Sequence, residues 1–269
     1  MGAWRGGLVD THCHLTCRPL SERCEAVIER ARRASVGTII TVGTDPGEWQ
    51  GCIELAARYE GVFCALGLHP HEARLAGGDF EQQLAAMLGQ PKVVAIGETG
   101  LDYHYQLSRP TVQRRVFGQH LEVAERHGLP VVVHCRDAME DCLAILREHP
   151  KVGEVVFHCF SGDAGQAGEI LERGFAISLT GLVTFGNAGG VREAAKMIPL
   201  DRLMLETDAP YLSPEPVRKV QPNEPAHLVH IGRFVAELRQ EDLQRLITAT
   251  TANATDFFRL DSAAQRPLE

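Results

Sequence analysis

Short apolar runs recur along the chain, each ending on a turn or polar residue: Gly7–Leu15, Thr38–Gly43, Val62–His69, Val93–Gly100, Pro130–Arg136, Val155–Ser161, Phe175–Leu182 and Leu203–Asp208. Runs continuous in Val, Ile and Leu, without polar alternation, mark parallel strands covered on both faces. Between them lie amphipathic stretches, among them Ser21–Ser35, Pro46–Tyr59, Thr111–His127, Ala138–Glu148, Gly165–Arg173 and Asn187–Met197. Strand then helix, repeated around the chain, predicts an α/β protein built as one (β/α)8 TIM barrel. Helix punctuation agrees: Ser21 is expected to cap the first helix, Gly37 to end it, and Gly128 with Pro130 to stop the long helix before the fifth strand. After the eighth run come a Pro-rich loop (Ser213–Pro216, then Gln221–Pro225) and two C-terminal helices, at about Ala226–Arg239 and Glu241–Thr250. A loop of that length lies where a barrel carries its active-site loops. The barrel domain is placed at 1–260 and a short tail at 261–269, with Leu268-Glu269 set aside as a cloning scar.

Composition narrows the class. A chain of 269 residues, 44% hydrophobic, can bury the core of one large barrel. The formal net charge of −8 argues against a permanently basic nucleic-acid platform, yet it leaves a nucleic-acid substrate open, because bound divalent ions add positive charge that sequence counting misses. The eight cysteines show no CxxC spacing and read as buried thiols in a reducing compartment. No charged-then-apolar leader precedes the first strand and no apolar run approaches the roughly 18 residues of a membrane span, so a cytoplasmic protein without membrane contact is expected.

The polar residues at the strand ends carry the chemistry. Strand one offers His12 and His14, two apart and so on one side of an extended backbone; strand three offers His69, strand four Glu98, strand five His134, strand six His158, and strand eight Glu206 and Asp208. A barrel gathers such ends at one mouth. Burying so many polar groups unpaired costs roughly 1–3 kcal/mol each, and metal binding pairs them. The set His12, His14, Glu98, His134, His158 and Asp208 is rich in nitrogen and oxygen and holds more ligands than one tetrahedral ion needs. Two divalent ions bridged by Glu98 are inferred, activating water for hydrolysis, with Asp208 both ligand and proton acceptor.

These residues sit in DTHCHL (10–15), GLHPHE (67–72), GETGLDY (97–103), PVVVHCRDA (130–138), FHCFSG (157–162), SLTGLVTFGNA (178–188) and ETDAPYL (206–212). In that order, over nearly the whole chain, they resemble the signatures of the TatD-family metal-dependent deoxyribonucleases. The resemblance implies an amidohydrolase-superfamily barrel with two or three divalent ions (Zn²⁺, Mn²⁺ or Mg²⁺) and phosphodiesterase activity on DNA of the 3′–5′ exonuclease type. The family's metal ligands fall on the same six residues, with Glu206 assisting an additional ion. The segment Leu15–Pro19 is shorter than the family's acidic loop at that place. A narrow mouth favours single-stranded or frayed DNA ends, and the protein is expected to be a monomer or weak homo-oligomer.

Other residues keep two readings. His69 contacts a substrate phosphate or orients a ligand; His71 reads as a loop residue. Arg136, two beyond His134, holds a phosphate or pairs with Asp137. Asp102 ties down its loop or supports a ligating histidine. Arg218-Lys219 reads as a solvated loop feature. The competing activity is hydrolysis of a small amide or ester, or of an aminoacyl-tRNA, by the same metal–water chemistry. A metal-stabilised binding scaffold is disfavoured because the full ligand set is present.

Overall fold

The structure, a computed structural model, describes residues 7–263. Strands β1 (Leu8–Cys13), β2 (Val36–Gly43), β3 (Val62–Leu66), β4 (Val93–Asp102), β5 (Val131–Arg136), β6 (Val155–Phe157), β7 (Ala176–Leu179) and β8 (Leu203–Leu205) form one sheet in sequence order. Helices separate them: α1 (Cys24–Arg33), α2 (Pro46–Arg58), α3 (Phe80–Leu88), α4 (Pro110–His127), α5 (Met139–Glu148), α6 (Ala164–Leu171) and α7 (Gly189–Met197), followed after β8 by α8 (Leu228–Arg239), α9 (Leu243–Phe257) and α10 (Leu260–Ala263). The strands run parallel, and the fold is the expected (β/α)8 barrel. Every residue of β1, β3 and β4 is buried, which is why apolar residues stand on both faces of these strands and their few polar residues stand out.

The chain forms two compact units, one comprising the residues up to Thr41 with Cys159–Asp256, the other Val42–His158 with the described residues from Phe257 onward. In the first, β1 pairs with β2 and β7 with β8, and a parallel bridge joins Cys13 to Ala209. In the second, β3 pairs with β4, β4 with β5, and β5 with β6. Long strand β4 continues to Asp102, its backbone matched to Arg136 of β5. That register brings Glu98, Asp102 and His134 onto one pair of strands.

Several boundaries differ from expectation for local reasons. Ser21 opens a 3₁₀ turn, Ser21–Arg23, without capping by its side chain, and α1 begins at Cys24. Gly37 lies inside β2; the chain leaves α1 through Ser35, at φ 65°. Gly128 closes α4 as expected, at φ 63°. Helix α3 was not anticipated, though Phe80, Leu84 and Leu88 recur every fourth position and are its buried face. The last long helix begins where the Asp242 carboxylate accepts the Arg245 N–H (2.9 Å) and runs to Phe257, beyond the expected Thr250. Of the expected tail, residues 261–263 belong to α10, while 264–269, Leu268-Glu269 among them, lie outside the described residues. All eight cysteines are free thiols. Among the described residues no helix is long and apolar enough to cross a membrane.

The Pro-rich segment after β8 is held by Asn223. Its buried amide donates to the Thr207 and Tyr211 carbonyls (2.9 and 2.6 Å), and its oxygen accepts the Glu224 N–H (2.9 Å). Glu224 then takes a forked bond from Arg30 of α1, with Nε at 2.9 Å and Nη2 at 2.6 Å. Replacing Asn223 by Ala strands two carbonyls, and a loss of about 1–3 kcal/mol in urea-unfolding stability is expected; an unchanged midpoint would show the loop to be held elsewhere.

Candidate metal centre

In the first unit, His12 lies within β1 and His14 just past its end. Their Nε2 atoms are 3.3 Å apart, and Oδ1 of Asp208, beyond the end of β8, lies 3.3 Å from His14 Nε2 and 3.9 Å from His12 Nε2. One ligand atom from each falls within 4.8 Å of the others, the arrangement of a metal-holding group. The register is set from the backbone, since Asp208 N–H donates to His12 O (2.9 Å) and His14 N–H to Ala209 O (2.7 Å).

Glu206 is buried and bound by the chain: Oε1 accepts the Cys159 N–H (2.6 Å) and Oε2 lies 3.2 Å from Thr11 Oγ1. One of its ligand atoms is also within 4.8 Å of one from His12. Between Glu206 and Asp208, Thr207 donates its N–H (2.8 Å) and hydroxyl (2.6 Å) to the carboxylate of Asp10. Burial drives the Asp10 pKa up to about 8, against the pull of those two bonds. Asp10 stands in the DTHCHL motif, yet its role escapes sequence reading, because its partner is 197 residues away.

In the second unit, three imidazoles surround one oxygen of Glu98. His134 Nδ1 and His158 Nε2 lie 2.8 Å from Oε1, and His69 Nε2 lies 3.2 Å from it. His69, Glu98 and His134 form a metal-holding group, so His69, expected near the substrate, sits among the candidate ligands. On its far side His134 Nε2 meets Asp102 Oδ2 at 3.0 Å. Burial would lower the His134 pKa, but the carboxylates of Asp102 and Glu98 at its two nitrogens raise it; with an ion at Nδ1, the Asp102 contact would hold the remaining proton on Nε2, the support a metal-ligating histidine receives. Burial alone would raise the Asp102 pKa, but bonds from His134, the Tyr105 N–H and His71 hold it well below the usual carboxylate range. Asp102 therefore does both things expected of it: Oδ1 accepts the backbone N–H of His104 (3.0 Å) and Tyr105 (2.9 Å), while Oδ2 meets the imidazole. His71 departs from the loop reading, with Nε2 3.0 Å from Asp102 Oδ2.

Arg136 does not pair with Asp137, whose carboxylate lies 3.1 Å from His104 Nδ1. Its guanidinium sits 4.8 Å above the Tyr105 ring and has no carboxylate partner among the described residues. In the first unit Arg218 packs 3.8 Å over the Phe185 ring.

The donors are imidazole nitrogens and carboxylate oxygens throughout, with no thiolate, which fits a divalent ion of the Zn²⁺ or Mn²⁺ type. Burial pushes His69 down to about 4, which keeps its ring neutral, and its Nδ1 accepts the His71 N–H (3.1 Å), so the ring proton lies on Nε2 toward Glu98. The strand leading to it is held by His120 of α4, another residue the sequence did not single out: Nε2 accepts the Leu68 N–H (3.0 Å), and Nδ1 faces Val116 O (2.7 Å). Burial lowers His120 from 6.5 to about 4, so between those values the unfolded chain binds the extra proton and stability falls as pH drops. In metal-free protein, unfolding free energies measured from pH 7 to pH 4 should decline less steeply for His120→Gln; equal slopes would mean that His120 is not held neutral.

A family model described as TatD related DNase matches residues 9–259. A Bacillus subtilis protein named as an uncharacterized metal-dependent hydrolase, YabD, is 38% identical over 256 residues, covering 94% of this chain and 100% of its own. The 3′–5′ ssDNA/RNA exonuclease TatD of Cronobacter sakazakii is 38% identical over 256 residues, with 93% and 97% covered. Among solved structures, the TatD homologue YJJV of Escherichia coli K12 superposes with a TM-score of 0.89 at 32% identity, covering 94% of this chain and 98% of its own. With its fold, its imidazole–carboxylate groups and a family match across nearly its whole length, the chain belongs to the TatD-related DNase family.

Proposed function

We propose that the protein is a divalent-metal-dependent phosphodiesterase that removes nucleotides from the ends of single-stranded DNA, in the 3′–5′ direction. The observations that carry this reading are the surrounding of Glu98 by three imidazoles in the second unit and the His12–His14–Asp208 group in the first, in a chain of the TatD-related DNase family. His12, His14, Glu98, His134, His158 and Asp208 would hold two ions, Zn²⁺, Mn²⁺ or Mg²⁺, and Glu206 would support a third. Polarity and preference for single strands rest on the name of the Cronobacter relative and on the narrow mouth expected of a barrel. The eight free thiols fit a reducing compartment such as the cytoplasm.

Bound ions supply positive charge to the phosphodiester and acidify the attacking water. The chain's own residues do the rest. Asp208, less buried than its histidine neighbours, accepts the proton of that water. Asp102 fixes the ring of His134 by holding its Nε2 proton, and Asp10 anchors Thr207 so that Asp208 keeps its aim. Arg136, free of any carboxylate among the described residues, takes a substrate phosphate, and His69 supports the same end of the site.

Metal-reconstituted protein incubated with 5′- or 3′-labelled single-stranded oligonucleotide tests this. Stepwise shortening from the 3′ end, abolished by chelation and reduced at least about 100-fold in Glu98→Ala and in Asp208→Ala, is expected; Asp102→Asn should lose about 10–100-fold, chiefly through metal affinity. Cuts in a circular strand would remove the exonuclease assignment. DNA left intact by metal-loaded protein would refute the substrate and direct the search to small amides, esters and aminoacyl-tRNA.

A further inference from the structure

The loop that follows β4 presents an aromatic ring to solvent on a rigid mount. Tyr105 is 55% exposed, yet its backbone N–H is bonded to Asp102 Oδ1 (2.9 Å). Gln113 of α4 holds both ends of the loop, donating to the carbonyls of Asp102 (3.0 Å) and Ser108 (2.8 Å). Ser108 in turn donates to His71 O (2.7 Å). An exposed tyrosine on a loose loop would lose conformational entropy on engaging a ligand; this one is ordered beforehand.

Rings connect it to the Glu98 group. Centroids of His134 and His69 are 4.6 Å apart, those of His69 and His71 4.3 Å, and those of His71 and Tyr105 5.5 Å. Over the Tyr105 ring lies the half-buried guanidinium of Arg136, 4.8 Å from the centroid. The adjacent acid, Asp137, is turned to His104, and no other carboxylate among the described residues meets Arg136. A guanidinium oriented by an aromatic face, with its donors left for an anion, stands beside a ring with surface to spare. Phosphate and a planar base are the two chemistries that this pair recognises together.

We infer that Tyr105 and Arg136 form the seat of one unpaired nucleotide of the polynucleotide strand, the base stacking on the Tyr105 side chain and the adjoining phosphate held by Arg136. The inference rests on the phosphodiesterase reading and adds to it the origin of strand selectivity. A base inside a duplex has both faces covered by its neighbours, so the successive bases of an unpaired strand reach this ring where internal duplex bases do not. Stacking is indifferent to the sugar and largely to the base, so the seat selects unpaired strands over duplexes without selecting a sequence.

The test is equilibrium binding of full-length, Mn²⁺-loaded protein to a fluorescein-labelled octathymidylate with a phosphorothioate backbone that slows cleavage. It is compared with the same strand carrying abasic residues at its three terminal positions. Tyr105→Ala should weaken binding of the intact strand about ten-fold, Tyr105→Phe should remain close to wild type, and the gap between wild type and Tyr105→Ala should close on the abasic strand. Arg136→Ala should lower the slope of log affinity against log salt by about 0.7 on both strands, the share of one single-strand phosphate. Equal binding by wild type and Tyr105→Ala, or a gap that persists on the abasic strand, overturns the seat. Hydrolysis of an unmodified oligonucleotide, followed in parallel, separates the two readings. Cleavage with no dependence of binding on Tyr105 leaves the phosphodiesterase and removes the seat, whereas base-dependent binding through Tyr105 without cleavage under any divalent ion keeps the seat and removes the phosphodiesterase.

Discussion

One oxygen of Glu98, with three imidazole nitrogens at 2.8, 2.8 and 3.2 Å, is the arrangement on which the rest of the second unit depends. A buried carboxylate must be compensated by protons or by a cation. Histidine can supply either: burial pushes His69 toward its neutral form, whereas at His134 burial is outweighed by the Asp102 and Glu98 carboxylates, one at each ring nitrogen, which raise its pKa. The cost of gathering these groups in a nonpolar interior is offset when a divalent ion joins them, which couples metal affinity to the stability of the strands that carry them.

The supporting carboxylates divide the labour by position. Asp10, within β1, takes two bonds from Thr207 and so orients the turn that ends in Asp208. Asp102, at the end of β4, spends one oxygen on backbone N–H groups of its loop and the other on His134 and His71. Loop conformation and imidazole orientation are thereby tied to a single side chain. A change at Asp102 reaches the candidate ligands and the exposed Tyr105 together, although Tyr105 touches none of the Glu98 group directly except through the rings of His71 and His69.

Charge explains how an acidic protein handles a polyanion. The net charge of −8 gives no broad electrostatic attraction, so recognition falls to local cations. Ions held at the imidazole–carboxylate groups, and the Arg136 guanidinium, which meets no carboxylate among the described residues, would supply that positive charge under the proposed function.

Continuous apolar runs determined the barrel, because parallel strands buried on both faces admit few polar residues and those few stand out at the strand ends. For the same reason His12, His14, Glu98, His134, His158 and Asp208 are legible in the chain, each as a polar interruption within or just beyond a β-run. Helix α3 is legible too, in the four-residue spacing of Phe80, Leu84 and Leu88. What only the tertiary structure decided are the partners of side chains distant in sequence. Asp10 meets Thr207 across 197 positions, His120 meets Leu68 across 52, and Arg136 lies over Tyr105 instead of pairing with its neighbour Asp137. Periodicity reports which face of an element is buried, but a hydrogen bond or ring contact depends on register and on the path of a loop, and those are settled only when the strands pair.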